Sequence, residues 1–169
     1  MCVAPPALRL ESPMNSFRFV ALPHEKFASL FGRTDAELGA AGIRRMVVDG
    51  KPGYPCRVSL ADAEVGETVL LLPFAHHDVA SPYRASGPIF VRQGARTATP
   101  APGEIPEMFG HRLLSVRAYD SAAMMVAAQV IEGAGLKDAI VRVFADDRVE
   151  YLHVHNAKPG CYNATVVRA

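Results

Sequence analysis

The chain has 169 residues, of which 50% are hydrophobic and 21% are charged, with 18 basic and 17 acidic side chains. This balance is typical of a compact globular protein and argues against extended disorder. A formal net charge of +1 supplies no long-range field for nucleic acid or an anionic membrane, so neither is expected as a partner. The partners left open are a small anionic ligand and a second copy of the chain in a homodimer.

Cysteine content indicates a reducing compartment. The three cysteines, Cys2, Cys56 and Cys161, are too few and too scattered for a disulfide framework, and their number is odd. A bridge between Cys56 and Cys161 stays open. We therefore expect a cytoplasmic protein.

Residues 1–13 are expected to form a flexible tail, because they contain adjacent prolines and charged positions without a continuous apolar run. They match neither a signal peptide nor a membrane anchor. A single globular domain is predicted over residues 14–169, and Met14 is an alternative start of translation. The longest apolar helical segment, residues 122–131, has about half of the ~20 residues that a membrane span needs.

The first half of the domain is predicted to mix strands with two short helices. A strand at 17–21 precedes a helix opened by Pro23, and Thr34 with Glu37 forms a capping-box pattern for a second helix. Strands are predicted at 43–48, 56–60 and 68–74.

The second half begins with a predicted loop at 75–87 and continues with elements in this order: a strand at 88–92, a Pro/Gly/Thr-rich lid or mobile segment at 94–110, a strand at 113–119, a core helix at 122–132, and strands at 140–144, 148–155 and 161–168. Short turns between most strands favour an antiparallel α+β fold over a parallel sheet. We expect a mainly antiparallel curved sheet or half-barrel with two or three helices.

The C-terminal strands are predicted to form a hairpin with a polar face. His153 and His155 are two residues apart, so both rings point to one side of a strand. A five-residue loop at 156–160 returns Cys161 opposite His155. The same register places Asn163 opposite His153 and Thr165 opposite Tyr151.

This hairpin predicts a metal site made of His153, His155 and Cys161, since imidazole and thiolate are preferred ligands of zinc and other transition metals. His76 or His77 would supply a fourth ligand only if the loop at Ala75 folds over the hairpin. The alternative is that these polar side chains line a solvent face and bond to each other. A cupin-type iron site is not supported, because no acidic ligand follows the two histidines.

Thiol catalysis is a second hypothesis, with Cys56 or Cys161 as nucleophile and His153 or His155 as base. Arg57 follows Cys56 directly and would favour a thiolate there. The alternative is a small buried cysteine in a strand.

The segment around Arg84 predicts anion binding. Arginine offers a two-pronged donor for phosphate or carboxylate, and Tyr83 and Ser86 would add neutral hydrogen bonds. The alternative is that Arg84 pairs with Asp78 and braces the loop.

Four segments together resemble the uncharacterised bacterial family known as domain of unknown function 1203: CRVSL at 56–60, ETVLLL at 67–72, SPYRASGPIF at 81–90 and HVHNAKPGC at 153–161. The resemblance covers nearly all of residues 14–168. It implies a single-domain bacterial protein and implies no activity.

Two functions remain. The first is a small-molecule enzyme or ligand-binding protein whose pocket combines the Cys56 strand, the 76–86 loop and the C-terminal hairpin. Arg57 and Arg84 would hold an anionic ligand, with Asn156 as a further ligand-binding residue. The second is a non-catalytic structural or protein-interaction domain.

Overall fold

The computed structural model describes residues 16–169, so the predicted tail and Met14 lie outside the described residues. The chain forms strands β1 (Phe17–Val20), β2 (Arg44–Val47), β3 (Pro55–Cys56), β4 (Ala61–Asp62), β5 (Thr68–His77), β6 (Ala85–Arg92), β7 (Leu113–Tyr119), β8 (Met125–Glu132), β9 (Tyr151–Asn156) and β10 (Tyr162–Arg168). Two α-helices are present in this part of the chain, α1 (Asp35–Ala40) and α2 (Leu136–Phe144).

The strands form two five-stranded sheets. The first sheet has the order β1-β10-β9-β7-β8 and the second has the order β2-β5-β6-β3-β4. All pairings are antiparallel except that of β3 with β6. The predicted antiparallel α+β class is confirmed, and the described strands close no barrel.

One face of the first sheet packs against α2. This face carries the buried side chains of Leu114, Val116, Leu152, Val154, Ala164 and Val166. Leu136, Ile140 and Phe144 lie on one side of α2 at helical spacing and complete this core. No helix within residues 16–169 is long and apolar enough to cross a membrane.

The second sheet packs against the N-terminal turns and α1. Thr34 and Glu37 form the predicted capping box, with the Thr34 Oγ1 accepting from the Glu37 N–H at 3.3 Å. The helix predicted after Pro23 is instead two 3₁₀ turns, His24–Lys26 and Ala28–Gly32. Their apolar side chains still face the second core.

Two predicted elements in the C-terminal half have the wrong type of secondary structure. The predicted helix at 122–132 is mostly strand β8, which pairs with β7 along its length, so sheet pairing overrides the helix propensity of its Ala and Met residues. The predicted strand at 140–144 lies inside α2. Its β-branched residues suggested a strand, while the spacing of Leu136, Ile140 and Phe144 is helical.

Two further boundaries differ from the prediction. Residues 57–60 form a turn, so the strand predicted at 56–60 is reduced to β3. The predicted loop at 75–87 is shorter, because β5 continues to His77 and β6 begins at Ala85. The extension of β5 carries two histidines to the first sheet.

Candidate functional site

The face of the first sheet opposite α2 carries nine side chains in three rows, called the polar grid here. Each row takes one residue from β7, one from β9 and one from β10. The rows are Ser115, His155 and Tyr162; Arg117, His153 and Thr165; and Tyr119, Tyr151 and Val167.

The predicted hairpin register is wrong at each of its three pairs. Tyr162, and not Cys161, lies opposite His155. An irregularity between Tyr162 and Ala164 shifts the pairing, so that Thr165 lies opposite His153. Both histidines do point to one face, as their spacing predicts.

Two further histidines reach the polar grid from the end of β5. The pairing of β5 with β6 is irregular between Phe74 and His77, and the consecutive residues His76 and His77 both contact the grid. The His76 ring centroid is 5.1 Å from that of His155, and the His77 ring centroid is 4.9 Å from that of His153. The condition for His76 or His77 as a fourth ligand was that this segment lies over the hairpin, and both residues do contact His153 or His155.

An open cleft of about 480 Å³ lies beside these histidines. His76, His77 and His153 line it, while His155 is fully buried behind them. The remaining lining residues are Val79, Tyr151, Thr165 and Val167, with Asp78, Glu150 and Arg168 as charged members.

Hydrogen bonds fix which nitrogen of His155 carries the proton. The Nδ1 atom lies 2.9 Å from the carbonyl oxygen of Gly160, and a carbonyl only accepts. The neutral ring therefore donates from Nδ1 and presents a lone pair at Nε2.

Three imidazole nitrogens of the cluster are buried without a hydrogen-bond partner in the described chain: His76 Nδ1, His153 Nδ1 and His155 Nε2. Buried polar atoms are nearly always paired, because each unpaired one costs about 1–3 kcal/mol. Three such atoms lie on neighbouring rings, so this cluster has hydrogen-bonding groups that the described chain does not use.

Three histidines of the cluster, His76, His153 and His155, have lowered pKa values that favour the neutral form. Burial, followed by the neighbouring histidines and Arg117, lowers the pKa of His153 to about 2. Burial also lowers the pKa of His155 to about 4, against the opposing effect of its bond to Gly160. The pKa of His76 is lowered by burial and by its neighbours His77 and Arg117.

Arg117 is the residue that the sequence analysis missed. Its guanidinium lies close enough to act on the pKa of His76, His153 and His155. Its Nε donates to the Ser115 Oγ at 3.3 Å, and it forms no ion pair with a carboxylate within residues 16–169. The alternation of polar Ser115, Arg117 and Tyr119 with apolar neighbours in β7 was the signal that could have identified it.

In the segment predicted to bind an anion, Arg84 forms an ion pair with Asp78. The Arg84 Nη2 lies 2.6 Å from the Asp78 Oδ1, and both side chains are mostly exposed. Tyr83 contributes its carbonyl oxygen, which accepts from the His77 Nδ1 at 2.8 Å. Ser86 lies in β6 and is exposed outside the cleft. The ion pair with Asp78 that the alternative named is therefore present.

Cys56 and Cys161 lie outside the cleft, and both are free thiols. Cys56 is fully buried in the second core, where its sulfur accepts from the backbone N–H groups of Ser59 and Arg92 at 3.5 and 3.3 Å. The Cys161 thiol donates to the carbonyl oxygen of Pro159 at 3.9 Å.

Arg57 and Asn156 do not line the cleft, and both form hydrogen bonds within the chain. Arg57 is 1% exposed and donates to the carbonyl oxygens of Tyr162 and Pro55. Burial lowers its pKa to about 10, so it remains charged at neutral pH. Asn156 accepts from the Asn163 Nδ2 at 2.8 Å.

The predicted metal site lacks the cross-strand pair on which it was based, because Cys161 does not lie opposite His155. In residues 16–169, no group of three or more His, Cys, Asp and Glu side chains is arranged to hold a metal ion. Zinc binding by His153, His155 and Cys161 stays a prediction.

The fold and the site define an α+β protein of two mostly antiparallel sheets with a histidine-lined cleft. A family model described as "Protein of unknown function (DUF1203)" matches residues 53–168. The chain belongs to this family, which confirms the resemblance found in the sequence. Neither the curated proteins nor the solved structures contain a significant match.

Proposed function

We propose that the cleft binds a small organic anion, held by the neutral imidazoles of His76 and His153 and by the charge of Arg117. The observation that carries the proposal is that His76 and His153, which line the open cleft, each have a buried Nδ1 atom without a partner in the described chain. A bound molecule that forms hydrogen bonds with these nitrogens would end their desolvation cost.

Arg117 does not line the cleft itself, but its charge beside His153 favours an anion over a cation at that histidine. Arg117 lies directly across the strand pair from His153, so their side chains are neighbours on one face. It has no carboxylate partner in the described chain. A carboxylate or phosphate at His153 would supply that partner and accept hydrogen bonds from N–H groups.

The lowered pKa values give the site a defined pH dependence. Without a ligand, His153 and His155 are neutral at pH 7. A nearby anion stabilises the protonated form of an imidazole. Anion binding therefore raises the pKa values of these rings, and by linkage the affinity rises as the pH falls. A cationic ligand would show the opposite trend.

The test is a titration with acetate, citrate and inorganic phosphate, followed by the histidine side-chain signals in NMR and by calorimetry. We expect at least one of these anions to shift the signals of His76 and His153. Arg117→Gln should weaken binding by about tenfold or more, because it removes a charged hydrogen-bond donor.

Arg84→Gln is the matched control, because it makes the same replacement at the arginine that pairs with Asp78. We expect it to change the affinity by less than about twofold, since an exposed ion pair contributes little. The proposal fails if none of the three anions shifts these signals, or if Arg84→Gln abolishes binding while Arg117→Gln does not. A zinc titration is run beside it, and zinc binding without anion binding would favour the metal prediction instead.

A further inference from the structure

A hydrogen-bonded pair on the wall of the cleft has the arrangement of a nucleophile and its base. The Tyr151 hydroxyl oxygen lies 2.7 Å from the His77 Nε2, and the His77 Nδ1 lies 2.8 Å from the carbonyl oxygen of Tyr83. A carbonyl cannot donate, so the Nδ1 of the neutral ring carries the proton and the Nε2 presents a lone pair. The Tyr151 hydroxyl is therefore the donor to His77.

We infer that Tyr151 is a nucleophile activated by His77, and that the cleft transfers acyl-type groups from small acidic molecules. This inference rests on the proposed function for the placement of the substrate. A nucleophile in contact with a base, with the base oriented by a third group, is the arrangement that activates weak nucleophiles in enzymes. Tyr151, His77 and the Tyr83 carbonyl supply these three parts.

The step balances within the cleft. The Tyr151 oxygen forms a bond to the acyl carbon, while its proton passes to the His77 Nε2. The bond between the acyl carbon and the leaving group breaks, and the leaving group departs with the electron pair and takes the proton from His77. A water molecule then attacks the acyl carbon while His77 takes its proton. The bond between the acyl carbon and the Tyr151 oxygen breaks, the acid is released, and His77 returns the proton to the Tyr151 oxygen.

The surroundings of Tyr151 require such a base. Burial, with smaller effects of Tyr119 and Asp120, raises the pKa of Tyr151 above its ordinary value. The free phenolate is therefore scarce at neutral pH, and reaction depends on removal of the proton by a group in contact with it. His77 is that contact.

The substrate class follows from the neighbouring row of the polar grid. The ring centroids of Tyr151 and His153 are 5.5 Å apart. An acidic group held at His153 leaves the adjoining part of the same molecule beside the Tyr151 hydroxyl. Small esters or activated acyl compounds that carry a carboxylate fit this spacing.

The test is covalent labelling with benzenesulfonyl fluoride, a neutral probe that needs no anion site. Reaction forms a bond between the tyrosine oxygen and sulfur, breaks the sulfur–fluorine bond, and releases fluoride and the phenol proton. Peptide mass spectrometry then gives the rate at each tyrosine. Tyr83 is the internal control, because it is 38% exposed and its hydroxyl forms no hydrogen bond in the described structure.

We expect Tyr151 to be labelled about tenfold faster than Tyr83, although it is less exposed, because a base in contact contributes that much or more. His77→Gln should remove the advantage, while His111→Gln, at an exposed histidine outside the cleft, should not. Faster labelling of Tyr83 than of Tyr151 in the unaltered protein would overturn the inference, as would an unchanged Tyr151 rate in a folded His77→Gln variant.

A second probe, 4-(fluorosulfonyl)benzoate, separates this inference from the proposed function. We expect its labelling of Tyr151 to fall in Arg117→Gln, while labelling by the neutral probe stays the same. If only the neutral probe labels Tyr151 selectively, the activated tyrosine stands and the anion site fails. If the anions bind as proposed and neither probe selects Tyr151, the anion site stands and the activated tyrosine fails.

Discussion

The two faces of the first sheet are built from the same strands but differ in how completely their side chains are paired. On β9, Leu152 and Val154 face α2, while His153 and His155 face the polar grid, and all four residues are 3% exposed or less. The apolar pair fills a core. The histidine pair keeps two nitrogens buried without partners in residues 16–169. The apolar face therefore packs completely, while the polar face retains hydrogen-bonding groups that this part of the chain does not use.

The largest effect on stability is expected from a substitution on the apolar face. Leu152→Ala removes a fully buried side chain from the core against α2, and should reduce the free energy of unfolding by about 2–5 kcal/mol. Chemical denaturation measures the loss. Anion affinity of the folded variant should change little, and a large loss of affinity would show that the two faces are coupled.

The next effect is specific to the polar face and depends on pH. His153 and His155 have folded pKa values of about 2 and about 4, below the ordinary value of 6.5. Their contribution to stability is complete above pH 6.5 and is lost as the pH falls toward the folded pKa values, because unfolding then takes up protons. Between about pH 6 and pH 5, titration of the two rings should lower the free energy of unfolding by about 2 kcal/mol per pH unit.

Denaturation at a series of pH values checks this slope. Leu152→Ala should lower the whole curve without changing its slope between pH 6 and pH 5, since no titrating group is removed. A flat curve for the unaltered protein in that range would contradict the buried neutral state of the two histidines.

Replacing the unpaired histidine sharpens the contrast further. His153→Leu removes a buried nitrogen that has no partner, so the free energy of unfolding should stay the same or rise by about 1 kcal/mol. The same variant should lose anion binding and about half of the pH slope. A loss of more than about 2 kcal/mol would show that the His153 nitrogen is paired in solution.

The smallest effect is expected at the rim. Arg84→Gln breaks an ion pair between two exposed side chains and should change stability by less than about 1 kcal/mol. Addition of salt should remove even this difference, because exposed charges are screened. A larger loss would mean that the Arg84–Asp78 pair braces the segment that carries His76 and His77.

Part of this architecture could be predicted from local sequence patterns. The two-residue spacing placed His153 and His155 on one face, and the Thr34–Glu37 pattern placed the cap of α1. Residues 122–132 could not be assigned this way, because their helix-favouring composition is overridden by pairing with β7. The register of the C-terminal hairpin depends on an irregularity beside Asn163 that no local pattern announces.

The candidate site was predicted less completely, for a physical reason. Its histidines come from two sheets, and His76 and His77 both reach it only through the irregular end of β5. Arg117 could have been identified from the alternation in β7, but its lack of a carboxylate partner is a property of the folded chain. The unpaired nitrogens and the proton positions on His77 and His155 likewise follow from contacts made only in three dimensions.

The most direct test of the account is NMR of the histidine ring nitrogens between about pH 7.5 and pH 4.5, a range that spans the ordinary histidine pKa. The account predicts that His153 stays neutral throughout, and that His155 is protonated at Nδ1 with a bare Nε2 until the pH approaches its pKa of about 4. Titration of both rings near pH 6.5, or a proton on the His155 Nε2, would contradict it.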